Sequence, residues 1–127
     1  MQIKLTIQGE PDISPLVIQN QYSKADEAIF SNLVAMVKDK LERNLRININ
    51  ECITLYSAFV ASELRNGKTI QQIQQNAPGL LRPEQVMIGV PESLRKMSFE
   101  LILDDAIPRQ VVLETPIHIS NYIMGSA

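Results

Sequence analysis

The stretch MSFELILDDAIPRQVVLET, residues 97–115, decides the fold class. Apolar side chains occupy every second position of residues 97–103, and the alternation returns in residues 111–115. A period of two is typical of β-strands with one buried face, and residues 104–109 between them predict the turn of a β-hairpin. An isolated hairpin is marginally stable, so it needs a second layer. On one face of the hairpin we place Met97, Phe99, Leu101, Leu103, Val111, Leu113 and Thr115.

Before the hairpin the apolar spacing changes to three and four residues, which is the helical period. Ser23, followed by the acids Asp26 and Glu27, predicts a helix start, because these acids lie in the positively charged first turn. The pattern indicates one long helix over residues 24–44. The apolar stripe of this helix consists of Ile29, Phe30, Leu33, Val37, Leu41 and Leu45.

A second helix is expected to begin at a cap formed by Asn48 or Asn50 and to end near Arg65. The following Asn66-Gly67 is a strong stop, because glycine tolerates the left-handed conformation that closes helices. The stripe predicted for this helix consists of Cys52, Ile53, Tyr56, Phe59, Val60 and Leu64.

A third, short helix follows directly. Thr69 and Gln72 have the spacing of a capping box, in which each side chain binds the other residue's backbone N–H. Ile70 and Ile73 are expected to anchor this helix, which ends before Pro78.

The N-terminus predicts additional β-structure. Ile3, Leu5 and Ile7 alternate with polar residues, and a second short strand is expected at residues 16–18. The N-terminal strand is a candidate partner for the hairpin edge. The resulting fold class is α+β, with three main helices packed on a small antiparallel sheet made of the C-terminal hairpin and the N-terminal strand.

Composition excludes several classes of protein. The 127 residues are 45% hydrophobic and 20% charged, with a net charge of -2 and one cysteine. Disorder and a disulfide scaffold are therefore excluded, and no apolar run approaches the roughly 20 residues of a membrane span. The acidic balance does not suit a nucleic-acid binder. The N-terminal residues lack the features of a secretory signal, so we expect a cytoplasmic protein with no nucleic-acid or membrane partner.

Residues suited to catalysis are scarce. The chain has one histidine, His118, and one cysteine, Cys52, so it cannot complete a closed zinc site of Cys and His. We interpret His118 as a surface or interface residue and Cys52 as a small buried apolar residue. The adjacent Asp104 and Asp105 could bind a cation weakly, but turn formation explains them better.

Two short blocks resemble sequences of the urease gamma subunit family. Residues 64–70, LRNGKTI, are similar to the family's RDGKTV block, and residues 86–92, VMIGVPE, are similar to its VMxGVPE block. Residues 43–51 and 111–117 resemble two further family stretches, in the same order along the chain. The resemblance covers about residues 24–119. The motif residues, to which the resemblance gives a structural role, are Asn66, Gly67, Lys68, Thr69, Val86, Met87, Gly89, Val90, Pro91 and Glu92.

The resemblance implies a non-catalytic gamma-type subunit of a nickel urease. The alpha subunit of that family binds the nickel ions and hydrolyses urea, and this chain would pack against the alpha and beta subunits. No catalytic, cofactor-binding or metal-binding residue is therefore expected here. The resemblance implies three segments. Residues 1–22 form an N-terminal extension that has no counterpart in the usual gamma chain. Residues 23–119 form a gamma-like domain, and residues 120–127 form a C-terminal tail.

Two other hypotheses remain open. The first is a stand-alone structural or interaction protein on the same fold. Its N-terminal strand either pairs with the hairpin edge of its own chain, which hides that edge from other proteins, or exchanges between chains and makes a homo-oligomer. The second is an independent enzyme, which would need an oxygen-ligand metal site or a glutamate base.

Overall fold

A computed structural model describes residues 1–9 and 15–118. The expected tail, residues 120–127, lies outside the described residues. The strands are β1 (Gln2–Gln8), β2 (Leu16–Gln21), β3 (Lys96–Ile102) and β4 (Pro108–Glu114). The helices are α1 (Lys24–Glu42), α2 (Ile49–Arg65), α3 (Ile70–Asn76) and the single-turn α4 (Val90–Ser93), and short 3-10 turns cover Ala77–Gly79 and Pro83–Gln85.

The strands form one antiparallel sheet in the order β2-β1-β3-β4. The N-terminal strand therefore lies inside the sheet, where Leu5 is paired with Phe99 of β3 on one side and Ile18 of β2 on the other. The prediction that this strand pairs with the hairpin edge is confirmed. The second short strand also exists, and it extends to Gln21.

The core lies between one face of the sheet and the helices. Ile3, Leu5 and Ile7 are buried on this face beside Met97 and Phe99, as their alternation predicted. Buried side chains of α2 share one core with those of the sheet, and α1 and α3 contact α2. The predicted α+β class is therefore confirmed. No helix in residues 1–9 and 15–118 is long and apolar enough to cross a membrane.

The predicted helix starts are confirmed by reciprocal capping boxes. The Ser23 and Thr69 side chains cap α1 and α3, and Asn48 caps α2. The Asn48 Oδ1 accepts the Glu51 N–H at 2.9 Å, and Glu51 Oε1 accepts the Asn48 N–H at 2.9 Å. Asn50 lies inside the helix, where its carbonyl accepts the Thr54 hydroxyl at 3.0 Å.

The apolar stripe predicted for α1 is only partly buried. Val37 is 5% exposed, but Ile29 and Leu33 are 60% and 47% exposed, and Leu45 lies beyond the helix at 45%. The reason is that α1 packs against α2 along one side, so residues further around its apolar arc stay largely exposed. Ile70, which we expected to anchor α3, is the first residue of that helix and is 44% exposed, whereas Ile73 is fully buried.

The hairpin differs from the expectation at its two ends. β4 begins at Pro108, inside the expected turn residues 104–109, because Ile102 already pairs with Pro108. Thr115 does not continue the core face: it is exposed, its φ is +46°, and its N–H is donated to the Arg95 carbonyl at 2.6 Å.

Candidate subunit interface

The VMIGVPE segment, residues 86–92, begins at a buried anchor. Val86 forms a parallel bridge with Ile47, the residue just before the α2 cap. The Ile47 N–H is donated to the Gln85 carbonyl at 3.0 Å, and the Met87 N–H to the Ile47 carbonyl at 2.9 Å. Both Val86 and Ile47 are buried. The structure thus brings two of the family-like blocks, residues 43–51 and 86–92, together.

Gly89 turns this segment sharply into α4. Its φ of +91° lies in the left-handed region, which glycine adopts without a steric penalty. Val90 and Pro91 follow and are buried, and the Ser93 hydroxyl is donated to the Gly89 carbonyl at 2.9 Å. The segment is therefore fixed to the core on both sides of the glycine.

Between these anchors two apolar side chains point to solvent. Met87 is 47% exposed and Ile88 is 95% exposed. An aliphatic side chain on a rigid turn loses little conformational freedom when a partner covers it, and contiguous exposed apolar side chains mark interaction sites. We call Met87, Ile88 and Gly89 the apolar loop. Ile88 was not among the motif residues, because the family block leaves that position open; its hydrophobicity beside a turn glycine was the available signal.

The N-terminal strand reaches the same region. A Cβ added to Gly9 would lie 3.0 Å from the Ser93 carbonyl oxygen and 3.2 Å from that of Glu92. Only glycine fits this approach without displacing the α4 backbone. The residue that follows β1 therefore lies against α4, the helical turn that follows the apolar loop.

The NGKT block, residues 66–69, lies elsewhere. It follows the C-terminal end of α2, and the 17 residues of that helix separate it from the Ile47 bridge by about 25 Å. Gly67 has a φ of +77° and closes α2, as predicted. The Thr69 hydroxyl accepts the Gln72 N–H at 3.1 Å. This block ends one helix and begins the next.

α1 presents a second apolar surface. Ile29, Leu33 and Met36 are 60%, 47% and 63% exposed and follow the helical spacing, so they form one line along the helix. We call these three residues the α1 stripe. The sequence pattern marked two of them as apolar positions, but it could not show that they face away from the core.

The residues with potential chemistry have structural surroundings. Cys52 is fully buried, and burial followed by the charge of Glu51 raises the pKa of its thiol to about 12, so it is protonated at neutral pH. Asp105 accepts the Ile107 N–H and forms an ion pair with Arg109. The Arg109 side chain and then the Ile107 N–H lower the pKa of the Asp105 carboxyl. This aspartate therefore acts in the hairpin turn, as expected.

Glu51 is held in a similar way. Burial raises the pKa of its carboxyl, but the Asn48 N–H and the Lys40 ammonium at 2.7 Å outweigh burial and lower the pKa. His118 is half-buried beside Pro78 and Arg82. Within residues 1–9 and 15–118, no three His, Cys, Asp or Glu side chains are grouped to hold a metal ion.

Comparison with known proteins agrees with the motif blocks. The sequence profile of the family described as "Urease, gamma subunit" matches residues 20–117. The urease subunit gamma of Cereibacter sphaeroides is 32% identical over 80 residues, which is 63% of this chain and 80% of that protein. The urease subunit gamma of Synechococcus sp. is 29% identical over 92 residues, 72% of this chain and 91% of that protein.

The chain is thus a small α+β domain. One of its motif blocks, residues 66–69, closes a helix, and another, residues 86–92, presents the apolar loop. The chain belongs to the urease gamma subunit family. The expected resemblance is therefore confirmed. The profile match begins at residue 20, so β1 and most of β2 precede the matched residues.

Proposed function

We propose that this chain is a non-catalytic subunit of a nickel urease assembly, in which a partner alpha subunit binds nickel and hydrolyses urea. The observation that carries the proposal is the apolar loop in a chain of this family, with Ile88 95% exposed between two buried anchors. Burying one isoleucine side chain stabilises a complex by roughly 1.5–3 kcal/mol. The proposal places the chain in the cytoplasm, with the alpha and beta subunits of urease as its partners.

The experiment is affinity purification of the tagged full chain from its own cells, with mass spectrometry, nickel analysis and a urea-hydrolysis assay of the eluate. We expect a larger nickel-containing chain and urease activity. Recovery of this chain without a nickel-containing partner would contradict the proposal.

A matched pair of variants tests the loop itself. Ile88→Asp places a charge at the centre of the proposed contact, and we expect at least a roughly tenfold loss of the co-purified partner. Ile107→Asp is the control, because Ile107 is also an exposed isoleucine, at 53%, but lies in the hairpin turn. Equal recovery with both variants would exclude the apolar loop as the contact.

A second candidate function is a self-associating interaction protein on the same fold. The observation that favours it is the β1–β2 hairpin, which lies largely before the matched residues and completes the sheet. Under this hypothesis the purification recovers this chain alone or with unrelated proteins, without nickel.

A further inference from the structure

β2 forms one edge of the sheet, and its backbone pattern shows which groups face outward. Met1 and Tyr22 exchange two hydrogen bonds: the Tyr22 N–H is donated to the Met1 carbonyl at 2.7 Å, and the Met1 amino group to the Tyr22 carbonyl at 3.1 Å. In an antiparallel ladder, bonded and non-bonded pairs alternate. The backbone groups of Val17, Gln19 and Gln21 therefore point away from β1, and no described segment pairs with them.

The opposite edge of the sheet is protected. The Val112 carbonyl of β4 accepts the Gln74 side-chain N–H from α3 at 2.9 Å. β4 also begins with Pro108 and carries charges at Arg109 and Glu114. Proline, charge and a covering helix are the usual means by which proteins prevent strand addition at an edge.

Within the part of the chain that the structure describes, β2 has none of these protective features. Its sequence, LVIQNQ, contains no charge and no proline, and Leu16 and Val17 are each 53% exposed. An exposed neutral edge strand is a template for the addition of another strand.

The α1 stripe lies on the same side of the molecule. The Phe30 ring of α1 contacts the Tyr22 ring at the end of β2, with centroids 5.4 Å apart, so this face of α1 is directed toward the β2 side of the sheet. Glu27, on the face toward α2, pairs with Arg65 at 2.7 Å. At 100° per residue, the stripe residues Leu33 and Ile29 lie still further from α2 than Phe30 does. The stripe is thus exposed on the β2 side of α1, on the part of the helix that faces away from α2.

We infer that the β2 edge and the α1 stripe form a self-association surface, on which β2 of a second copy adds antiparallel about a twofold axis. The outward groups pair best when Gln19 lies opposite Gln19 of the second copy and Val17 lies opposite its Gln21, with two backbone hydrogen bonds at each such pair. Shifting the register by one pair in one direction would bring Pro15, which has no N–H, opposite Gln21. A shift in the other direction would bring Val17 opposite Ser23, whose N–H is already donated to the Asp26 carboxylate. The inference does not depend on the urease role.

We assign a second copy of the chain to this surface because β2 itself has the properties that an added strand needs. A strand added beside the apolar stripe must be uncharged, since an unpaired charge there would be desolvated. β2 presents Ile18 on the face toward the helices, and across the twofold axis its glutamine amides supply both donors and acceptors. A C2 interface requires such self-complementarity.

Hydrogen exchange of the full chain provides a direct test. In the dimer, the amides of Val17, Gln19 and Gln21 become protected as protein concentration rises. The amides of Ile18 and Asn20 bond to β1 and are the internal control, because they are protected at every concentration. The inference is overturned if the protein sediments as a monomer and the exchange of the three outward amides does not change with concentration.

Two variant pairs test the same surface by analytical ultracentrifugation. Gln19→Pro removes an outward N–H while leaving the β1 ladder intact, and Gln19→Thr retains the N–H. Leu33→Glu charges the α1 stripe, and Ala35→Glu places the same charge on an exposed position of another face. We expect dimerisation to weaken roughly tenfold or more for Gln19→Pro and Leu33→Glu only.

A dimer that is unchanged in both Gln19→Pro and Leu33→Glu would show that another surface joins the copies and would overturn the inference. If Gln19→Pro fails to fold, Leu33→Glu decides, because an exposed side chain contributes little to the stability of the monomer. Binding of a different protein through β2, with this chain remaining monomeric, also overturns it.

Discussion

At the scale of single residues, the hairpin turn contains an unfavourable backbone conformation. Ala106 has a φ of +60° and donates its N–H to the Leu103 carbonyl at 3.1 Å. Its Cβ makes this left-handed conformation costly, whereas glycine adopts it freely. The ion pair of Asp105 and Arg109 next to it helps to hold the turn closed.

Ala106→Gly should therefore stabilise the protein. The relief of backbone strain outweighs the greater freedom of glycine in the unfolded chain, so we expect a gain of about 0.5–1 kcal/mol in the free energy of unfolding. Urea denaturation of both proteins measures it. Ala35→Gly in the helix α1 is the control and should destabilise by about 1 kcal/mol. A loss of stability in Ala106→Gly would contradict the prediction.

The buried thiol of Cys52 predicts how stability depends on alkaline pH. Its pKa is about 12 in the folded protein and has an ordinary value of 9.0. At a pH between these two pKa values, the unfolded chain releases the thiol proton and the folded chain keeps it. The free energy of unfolding should thus fall as pH rises above about 9, by up to about 1.4 kcal/mol per pH unit.

Urea denaturation on both sides of pH 9 measures this slope. Cys52→Ala should be less stable at neutral pH, because it leaves a cavity, but should show a shallower decline above pH 9. A remaining slope is expected from Tyr56, because burial and then Cys52 raise its pKa as well. Equal slopes in both proteins would exclude the thiol as a contributor.

At the scale of elements, capping determines where the helices begin. α2 starts at Asn48, and the same Glu51 that completes its capping box also pairs with Lys40 of α1 at 2.7 Å. The cap therefore joins two helices as well as satisfying backbone groups. The Glu51 carboxylate contributes to the free energy of unfolding at pH values above its ordinary pKa. This contribution is lost as pH falls, because the pKa of Glu51 is lowered in the folded protein.

Asn48→Ala should lower the free energy of unfolding by about 1 kcal/mol, because the Glu51 N–H loses its acceptor. The matched control is Asn50→Ala. Asn50 is exposed inside the first turn and its side chain does not form the cap, so we expect a change within about 0.5 kcal/mol. Thermal or urea unfolding distinguishes the two. A larger loss at Asn50 would mean that the helix begins two residues later.

At the scale of the whole molecule, the N-terminal strand is an internal component of the sheet. β1 pairs with both β2 and β3, and Leu5 is 2% exposed at its centre. The strand covers the edge of β3 that would otherwise be open. The residue after it, Gly9, also approaches the α4 backbone closely.

Leu5→Ala should therefore cost about 2–5 kcal/mol of unfolding free energy, through lost burial and the cavity that remains. Lys4→Ala is the control at the adjacent position of the same strand. Its side chain points to the outer face and approaches Glu100 only at 4.0 Å, so the expected change is within about 0.5 kcal/mol. Equal stability of the Leu5→Ala variant and the wild type would exclude a structural role for the strand.

The sequence by itself determined the kind and position of most elements. Alternation set the buried face of β1 and β3, and reciprocal caps at Ser23 and Thr69 located two helix starts. These features are local: a period of two or a residue pair three apart acts through neighbouring backbone, without reference to the rest of the molecule. The motif blocks likewise identified the family from the order of their residues.

Only the tertiary structure decided which apolar side chains are exposed to solvent. Ile29 and Val37 belong to one apolar pattern in α1, yet the first is 60% exposed and the second 5%. Ile88 is exposed only because Val86 bridges to Ile47 and Gly89 turns the chain back toward the core. Exposure depends on neighbours that are distant in sequence, and hydrophobicity alone is the same for a side chain in the core and one on a contact surface.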